Sequence, residues 1–183
     1  DGKGRLAAID TTLMIDKWGG SVCVPGFVPG PPKPDLPVRG HFAVGPNDNI
    51  YFVEQRNFQR DRIHAFRDDG ASATALGSFE FGGPDFSRNS PVVNANNQVV
   101  IASTNGRVFA LDGTNPASWG NSTNLNGVQW QANMGGTTRS SPTFDATGSI
   151  VYVGRNGGQV FAYEDPIDIT VAVASGTLQR PAN

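Results

Sequence analysis

Four segments of this chain repeat one pattern, and that repetition limits what the chain can fold into more than any other property. Arg5-Leu6-Ala7-Ala8-Ile9-Asp10, Arg62-Ile63-His64-Ala65-Phe66, Arg107-Val108-Phe109-Ala110-Leu111-Asp112 and Gln159-Val160-Phe161-Ala162-Tyr163 share an alanine at 8, 65, 110 and 162, spaced 57, 45 and 52 residues apart. Upstream of the last three lies a second repeated strand: 49–53, 98–102 and 149–153. Further upstream come Phe42-Ala43-Val44, Pro91-Val92-Val93 and Pro142-Thr143-Phe144. A fourth strand is read at 75–81, 128–132 and 169–173. Such periodicity marks units that bury their faces against their neighbours rather than alone.

The connectors agree with this reading. Pro46-Asn47-Asp48-Asn49, Asn94-Ala95-Asn96-Asn97 and Asp145-Ala146-Thr147-Gly148 carry residues that tolerate tight, often left-handed turns. Asn105-Gly106 and Asn156-Gly157-Gly158 are hairpin signals between the second and third strands. Glycine pairs at 19–20, 82–83 and 135–136 close three of the units. Apolar residues nowhere hold a 3.6-residue period over three turns, so helix is a minor element. The fold class expected is all-β: a β-propeller of four-stranded antiparallel blades, and a partial one, with about three and a half blades in the 183 residues.

Ser140-Ser141-Pro142, Ile150-Val151-Tyr152-Val153-Gly154 and Asn156-Gly157-Gly158-Gln159-Val160-Phe161-Ala162-Tyr163, with the similar unit from Ser90 to Gly136, resemble the repeat of pyrroloquinoline-quinone-type (quinoprotein-like) β-propellers. In that family an alanine after the third strand is followed by aspartate two later and a blade-docking tryptophan ten later. Ala8, Asp10 and Trp18 keep that spacing, without the family's Thr-Gly-Lys between them. In the third unit Ala110 and Asp112 match, and an insertion moves the docking tryptophan to Trp119 or Trp130. The second and fourth units have no tryptophan there.

The expected organisation is one propeller domain. It holds a half blade at 1–20, a proline-rich connector at 21–38, blades at 39–83, 84–136 and 137–176, and the start of another blade or a tail at 177–183. Such a piece leaves open sheet edges, which propellers otherwise protect by circular closure. The expectation is therefore a fragment of a longer chain, or an open form that closes on a second chain. Six prolines between 25 and 37 remove backbone donors and exclude a central strand. That stretch reads as an inter-blade connector or as a docking segment for a partner's aromatic groove.

Three arginines carry the leading candidate site. Arg39, Arg88 and Arg139 each stand three residues before the first-strand residues Phe42, Pro91 and Pro142, and Arg180 starts a possible fourth case. Equivalent first strands line a propeller's channel, so these guanidinium groups fall on one ring at its mouth. Guanidinium binds carboxylate or phosphate bidentately, which suits an anion or a quinone carboxylate. The structural alternative is that each arginine pairs with a neighbouring carboxylate or carbonyl and ties blades together. Arg56, Phe58 and Arg60 lie in a segment that extends such a basic surface if it shares the face.

The other residues point to structure. Two histidines, His41 and His64, and one cysteine, Cys23, fall short of a zinc-type donor set. Asp10, Asp68, Asp112 and Asp165 recur after third strands, where aspartate stabilises turns. Asn121-Ser122-Thr123 is an N-glycosylation pattern, with meaning only in a eukaryotic secreted protein. The net charge of −2 argues against general nucleic-acid binding, and no apolar run approaches the length of a membrane span. Any signal peptide is expected to have been removed already.

The function expected is a non-catalytic scaffold that binds a protein partner, or the remaining blades of its own propeller, without a cofactor. The resemblance, with three lysines against eleven arginines, implies the periplasm or the cell exterior. Two other classes stay open. One is part of a quinone-dependent alcohol or sugar dehydrogenase, for which the resemblance implies quinone and calcium. The other is a structural subunit of an extracellular assembly.

Overall fold

The computed structural model describes residues 42–54, 61–81 and 89–164, together with the backbone of short strands near both ends. Three four-stranded antiparallel sheets follow one another in sequence. The first holds β5 (Ala43–Val44), β6 (Asn49–Glu54), β7 (Arg62–Asp68) and β8 (Ala73–Glu80). The second holds β9 (Val92–Val93), β10 (Gln98–Ala102), β11 (Arg107–Asp112) and β12 (Val128–Asn133). The third holds β13 (Thr143–Phe144), β14 (Ile150–Arg155), β15 (Gln159–Glu164) and β16 (Val171–Val173). Earlier in the chain β1 (Arg5–Leu6) pairs with β4 (Val22–Cys23), and β2 (Ile9–Asp10) with β3 (Ile15–Asp16). The segment expected as one strand at 5–10 is thus two. Val22–Cys23, inside the stretch expected as a connector, pair ahead of the first proline at 25, where backbone donors remain.

The repeat is a register as much as a sequence. Tyr51 pairs with Ala65, Val100 with Ala110 and Tyr152 with Ala162, so the shared alanines are structurally equivalent. The fourth strand shifts register at Ala65/Phe66 and again at Ala110/Leu111. The small side chain therefore stands where the outer strand bulges and bends.

Alternation along the strands builds the stack. Tyr51, Val53, Ile63, Ala65 and Phe79 of the first sheet meet Val99, Ile101, Phe109 and Leu111 of the second. The other face of the second sheet, Val100, Ala102, Val108 and Ala110, meets Val151, Val153, Phe161 and Tyr163 of the third. Because both faces of β10 are covered, its run Val99-Val100-Ile101-Ala102 is apolar without alternation and wholly buried. On the next face outward, Tyr152 and Ala162 are half-buried and Val160 is 42% exposed, whereas its equivalents Ile63 and Val108 are 0% exposed.

The turns between first and second strands also repeat. Asp48, Asn97 and Gly148 each take a positive φ, of 60°, 59° and 73°, a region open to Asp, Asn and Gly. Asn94 Oδ1 accepts the backbone N–H groups of Asn96 and Gln98. In the equivalent turn Asp145 Oδ1 accepts those of Ser149 and Ile150. The Ile150 N–H, then the Thr147 hydroxyl, hold the Asp145 carboxyl down at about 2. A depressed carboxyl stabilises the fold above its unfolded value of 3.8 and loses that contribution as pH falls towards 2. Protection of the Ser149 and Ile150 amides against exchange, relative to the intrinsic rate at each pH, is therefore expected to fall across that window. Asp145→Asn, which copies Asn94, is expected to abolish that fall in protection; an unchanged profile in that variant would show that the carboxyl is not its source.

Candidate functional site

The insertion between β11 and β12 shapes one side of the stack. It forms a short 3-10 turn at Pro116–Ser118 and then places Trp119 into the interface of the first two sheets. Trp119 stacks on Tyr51 at 5.9 Å between centroids and donates from Nε1 to the Asp112 carbonyl at 2.7 Å. Burial pushes the Tyr51 hydroxyl up in pKa, and the Asp112 charge adds to this; it donates to the Gly113 carbonyl at 3.1 Å. Trp130, on β12, lies instead in the interface of the second and third sheets, 5.8 Å from Tyr163. Each interface thus holds one tryptophan from the same unit, and the expected choice between Trp119 and Trp130 does not arise. Trp18 lies outside the described residues.

The arginines divide into two groups. Arg62 pairs with Glu80 at 2.7 Å and Arg67 with Asp69 at 2.6 Å. Arg107 lies 4.8 Å over the Phe109 ring and donates to Gln131 Oε1. Arg155 lies 5.5 Å over Phe161 and donates to the Met134 carbonyl at 2.7 Å. Arg62, Arg67 and Arg107 find their partners within their own unit, and Arg155 reaches the Met134 carbonyl of the preceding one, the blade-tying role weighed for the repeated arginines. Arg139 is different: it is exposed and has no hydrogen bond or ion pair among the described residues.

The backbone around Arg139 is fixed. Thr138 is fully buried; its N–H donates to the Thr104 carbonyl and its hydroxyl to the Gly154 carbonyl. Ser140 N–H donates to Thr138 Oγ1 at 3.0 Å. Two residues on, Ser141 Oγ accepts the N–H of Ser90 at 2.9 Å, and Ser90 holds the equivalent place two residues after Arg88. The connectors of successive units therefore touch at matching positions. Arg39 and Arg88 themselves lie outside the described residues, as do Arg180, His41, Arg56, Phe58 and Arg60.

The remaining candidates have structural partners. His64 is buried, stacked on Phe52 at 5.4 Å, with Nε2 2.9 Å from Glu54 Oε2. It stands where Phe109 and Phe161 stand in the other sheets, each one residue short of the shared alanine. Asp68 Oδ1 accepts the Gly70 N–H, and Asp112 Oδ1 accepts from Thr114, so both close turns. Asn121 Oδ1 is likewise taken by the N–H groups of Thr123 and Asn124. Among the described residues no three His, Cys, Asp or Glu side chains group as a metal ion would require. No described helix is long and apolar enough to cross a membrane.

Solved structures share this stack of sheets. BamB from Moraxella catarrhalis is 15% identical over 76% of this chain and 37% of its own, with a TM-score of 0.53. A europium-containing methanol dehydrogenase is 15% identical over 67% of this chain and 22% of its own, with a TM-score of 0.50. Both are β-propellers of the quinoprotein type. This chain folds as β-propeller blades. A third match, the complex of KlAtg21 with the coiled-coil of AgAtg16, is 12% identical over 96% of this chain and 49% of that one, with a TM-score of 0.62. The chain spans less than half the length of each structure. No protein-family model matches it, and no curated protein does.

Proposed function

We propose that these blades belong to a non-catalytic propeller that binds a protein partner in the cell envelope or outside the cell. Arg39, Arg88 and Arg139 would offer guanidinium groups to the partner's carboxylates at the channel mouth. The observation that carries this reading is the contrast among the described arginines: four hold partners within the fold, and Arg139 is exposed on a pinned backbone with no hydrogen-bond or ion-pair partner among the described residues. The Ser90–Ser141 contact supports a ring, because it joins matching positions of successive blades. A structural neighbour solved in complex with a coiled coil supports a protein ligand. Trp130, and Trp18 in its own unit, serve in this reading as blade-docking residues.

The test is the affinity of a glutamate-rich peptide for the protein and for a variant with Arg39, Arg88 and Arg139 all changed to glutamine. Charge-assisted guanidinium–carboxylate bonds are stronger than neutral ones and exposed pairs are screened by salt. The variant is expected to bind about tenfold to a hundredfold more weakly at low salt, with a smaller salt dependence. Equal affinity in both proteins would remove the arginines from the site. The likeness to a methanol dehydrogenase favours a second reading, part of a quinone-dependent dehydrogenase. The described residues supply no metal-binding group of side chains for it, so no step through a quinone is derived.

A further inference from the structure

The outer edges of the first two sheets differ in one respect. In β8 the residue next to the end of the ladder is fixed by the Phe81 N–H, which donates to the Asp61 carbonyl. That phase turns the backbone N–H and C=O of Glu80 outward, because facing residues alternate between bonded and non-bonded pairs. The insertion of the second sheet uses them. Glu80 N–H donates to the Gly120 carbonyl, Ser122 N–H donates to the Glu80 carbonyl, and Asn121 bridges Glu80 in parallel. An extended segment has thus been added to that edge.

The second sheet repeats the phase, and among the described residues no segment covers it. Met134 N–H donates to the Gly106 carbonyl, as Phe81 does to Asp61. Arg107 faces Asn133 as Arg62 faces Glu80. Asn133 and Gln131 therefore turn their backbone groups outward, both are exposed, and neither has a backbone partner there among the described residues. The connector that covers β8 runs over 113–127. The strand Val128–Asn133 has no charge and no proline, the devices by which exposed edges are usually blunted.

We infer that the outer edge of β12 at Gln131 and Asn133 is a strand-addition site for an extended, proline-free segment of a partner protein. The segment runs parallel to β12, as Gly120–Ser122 runs beside β8. Its main chain bonds to Gln131 and Asn133, and its side chains alternate between two surfaces. Apolar residues fall on the side of half-buried Trp130 and Ala132, and hydrogen-bonding residues on the side of the Gln131 amide. Gln131 Oε1 already accepts from Arg107, so the amide on that side is ordered in advance. The inference rests on the binding-scaffold reading and places the partner at a site that does not use the arginines.

The probe is a capped eight-residue peptide alternating valine and asparagine, titrated against the protein and followed by amide chemical shifts. Saturable binding is expected, with the largest shifts at Gln131 and Asn133. Gln131→Pro removes an outward donor and no ladder bond, a position where an edge strand tolerates proline. It is expected to weaken binding at least about tenfold, as is N-methylation of alternate peptide amides, which leaves the protein unchanged. The triple arginine-to-glutamine variant is expected to bind this peptide as the parent does. Binding unaffected by N-methylation, or absent altogether, would overturn the strand-addition site. So would a dimer abolished by Gln131→Pro, which would assign the edge to a second copy. Loss in the arginine variant would overturn the edge site and leave the scaffold reading standing.

Discussion

Phe109→Ala is expected to lower the free energy of unfolding by about 3–5 kcal/mol, the range for truncating a buried aromatic side chain. Phe109 is 0% exposed and sits 5.2 Å from Phe79 and 5.9 Å from Phe81, ring to ring, in the interface of the first two blades. Its removal leaves a cavity between sheets that are themselves pinned by hydrogen bonds, so collapse around it is limited. It also strips the Arg107 guanidinium of the ring on which it rests. Val160→Ala makes the comparison: Val160 occupies the place of Val108 but is 42% exposed, and its truncation is expected to cost under about 1 kcal/mol. Urea unfolding of both variants checks this. Equal losses would mean that the two faces are not packed as described.

Gly77→Ala is expected to be the second severe change, and for a different reason. Gly77 lies in β8, and a Cβ there would run into the carbonyl of Pro116 in the insertion of the next blade. Two main chains approach too closely for any side chain, so one of them must move. Overpacking of this kind costs about 1–3 kcal/mol. The insertion is the part that yields, and with it go the Glu80–Asn121 bridge and the seat of Trp119. Amide exchange at Ser122 and Glu80 is the readout. Unchanged protection there, with stability within about 0.5 kcal/mol of the parent, would contradict the close approach.

These two residues also show how far the sequence could be read. Phe109 belongs to a strand whose repeats are visible in the chain, so its place in the third strand of a blade, and the all-β class, follow from pattern alone. Gly106 was legible too: Asn105-Gly106 is a hairpin signal, and Gly106 takes a φ of 87°. Gly77 was not. It stands in a strand with no turn chemistry, and only the neighbouring blade requires it to be glycine. The insertion after β11 was visible as an irregular length, but its addition to the edge of β8 depends on a backbone phase that side-chain patterns do not encode. Likewise the spacing rule for the docking tryptophan offered Trp119 or Trp130, because it describes one blade and the two interfaces belong to pairs of blades. The arginine positions were found from the repeat, and what separates Arg139 from Arg62, Arg107 and Arg155 is the set of partners those three have in space.

Charge explains why the site was harder to read than the fold. Apolar alternation is imposed by burial on every blade and so repeats. An exposed guanidinium is constrained only by what it meets. Among eleven arginines, sequence position marks those that recur and gives no measure of which are satisfied. That distinction rests on the hydrogen bonds of Arg107 and Arg155 to Gln131 and Met134 and on the absence of such partners for Arg139 among the described residues.

The claim that this propeller binds rather than oxidises is tested most directly by its handling of the quinone. The protein is incubated with pyrroloquinoline quinone and calcium, freed of unbound ligand, and its absorption spectrum recorded. The account predicts a spectrum of aromatic residues alone. A quinone band retained in proportion to the protein would contradict it and assign these blades to a dehydrogenase.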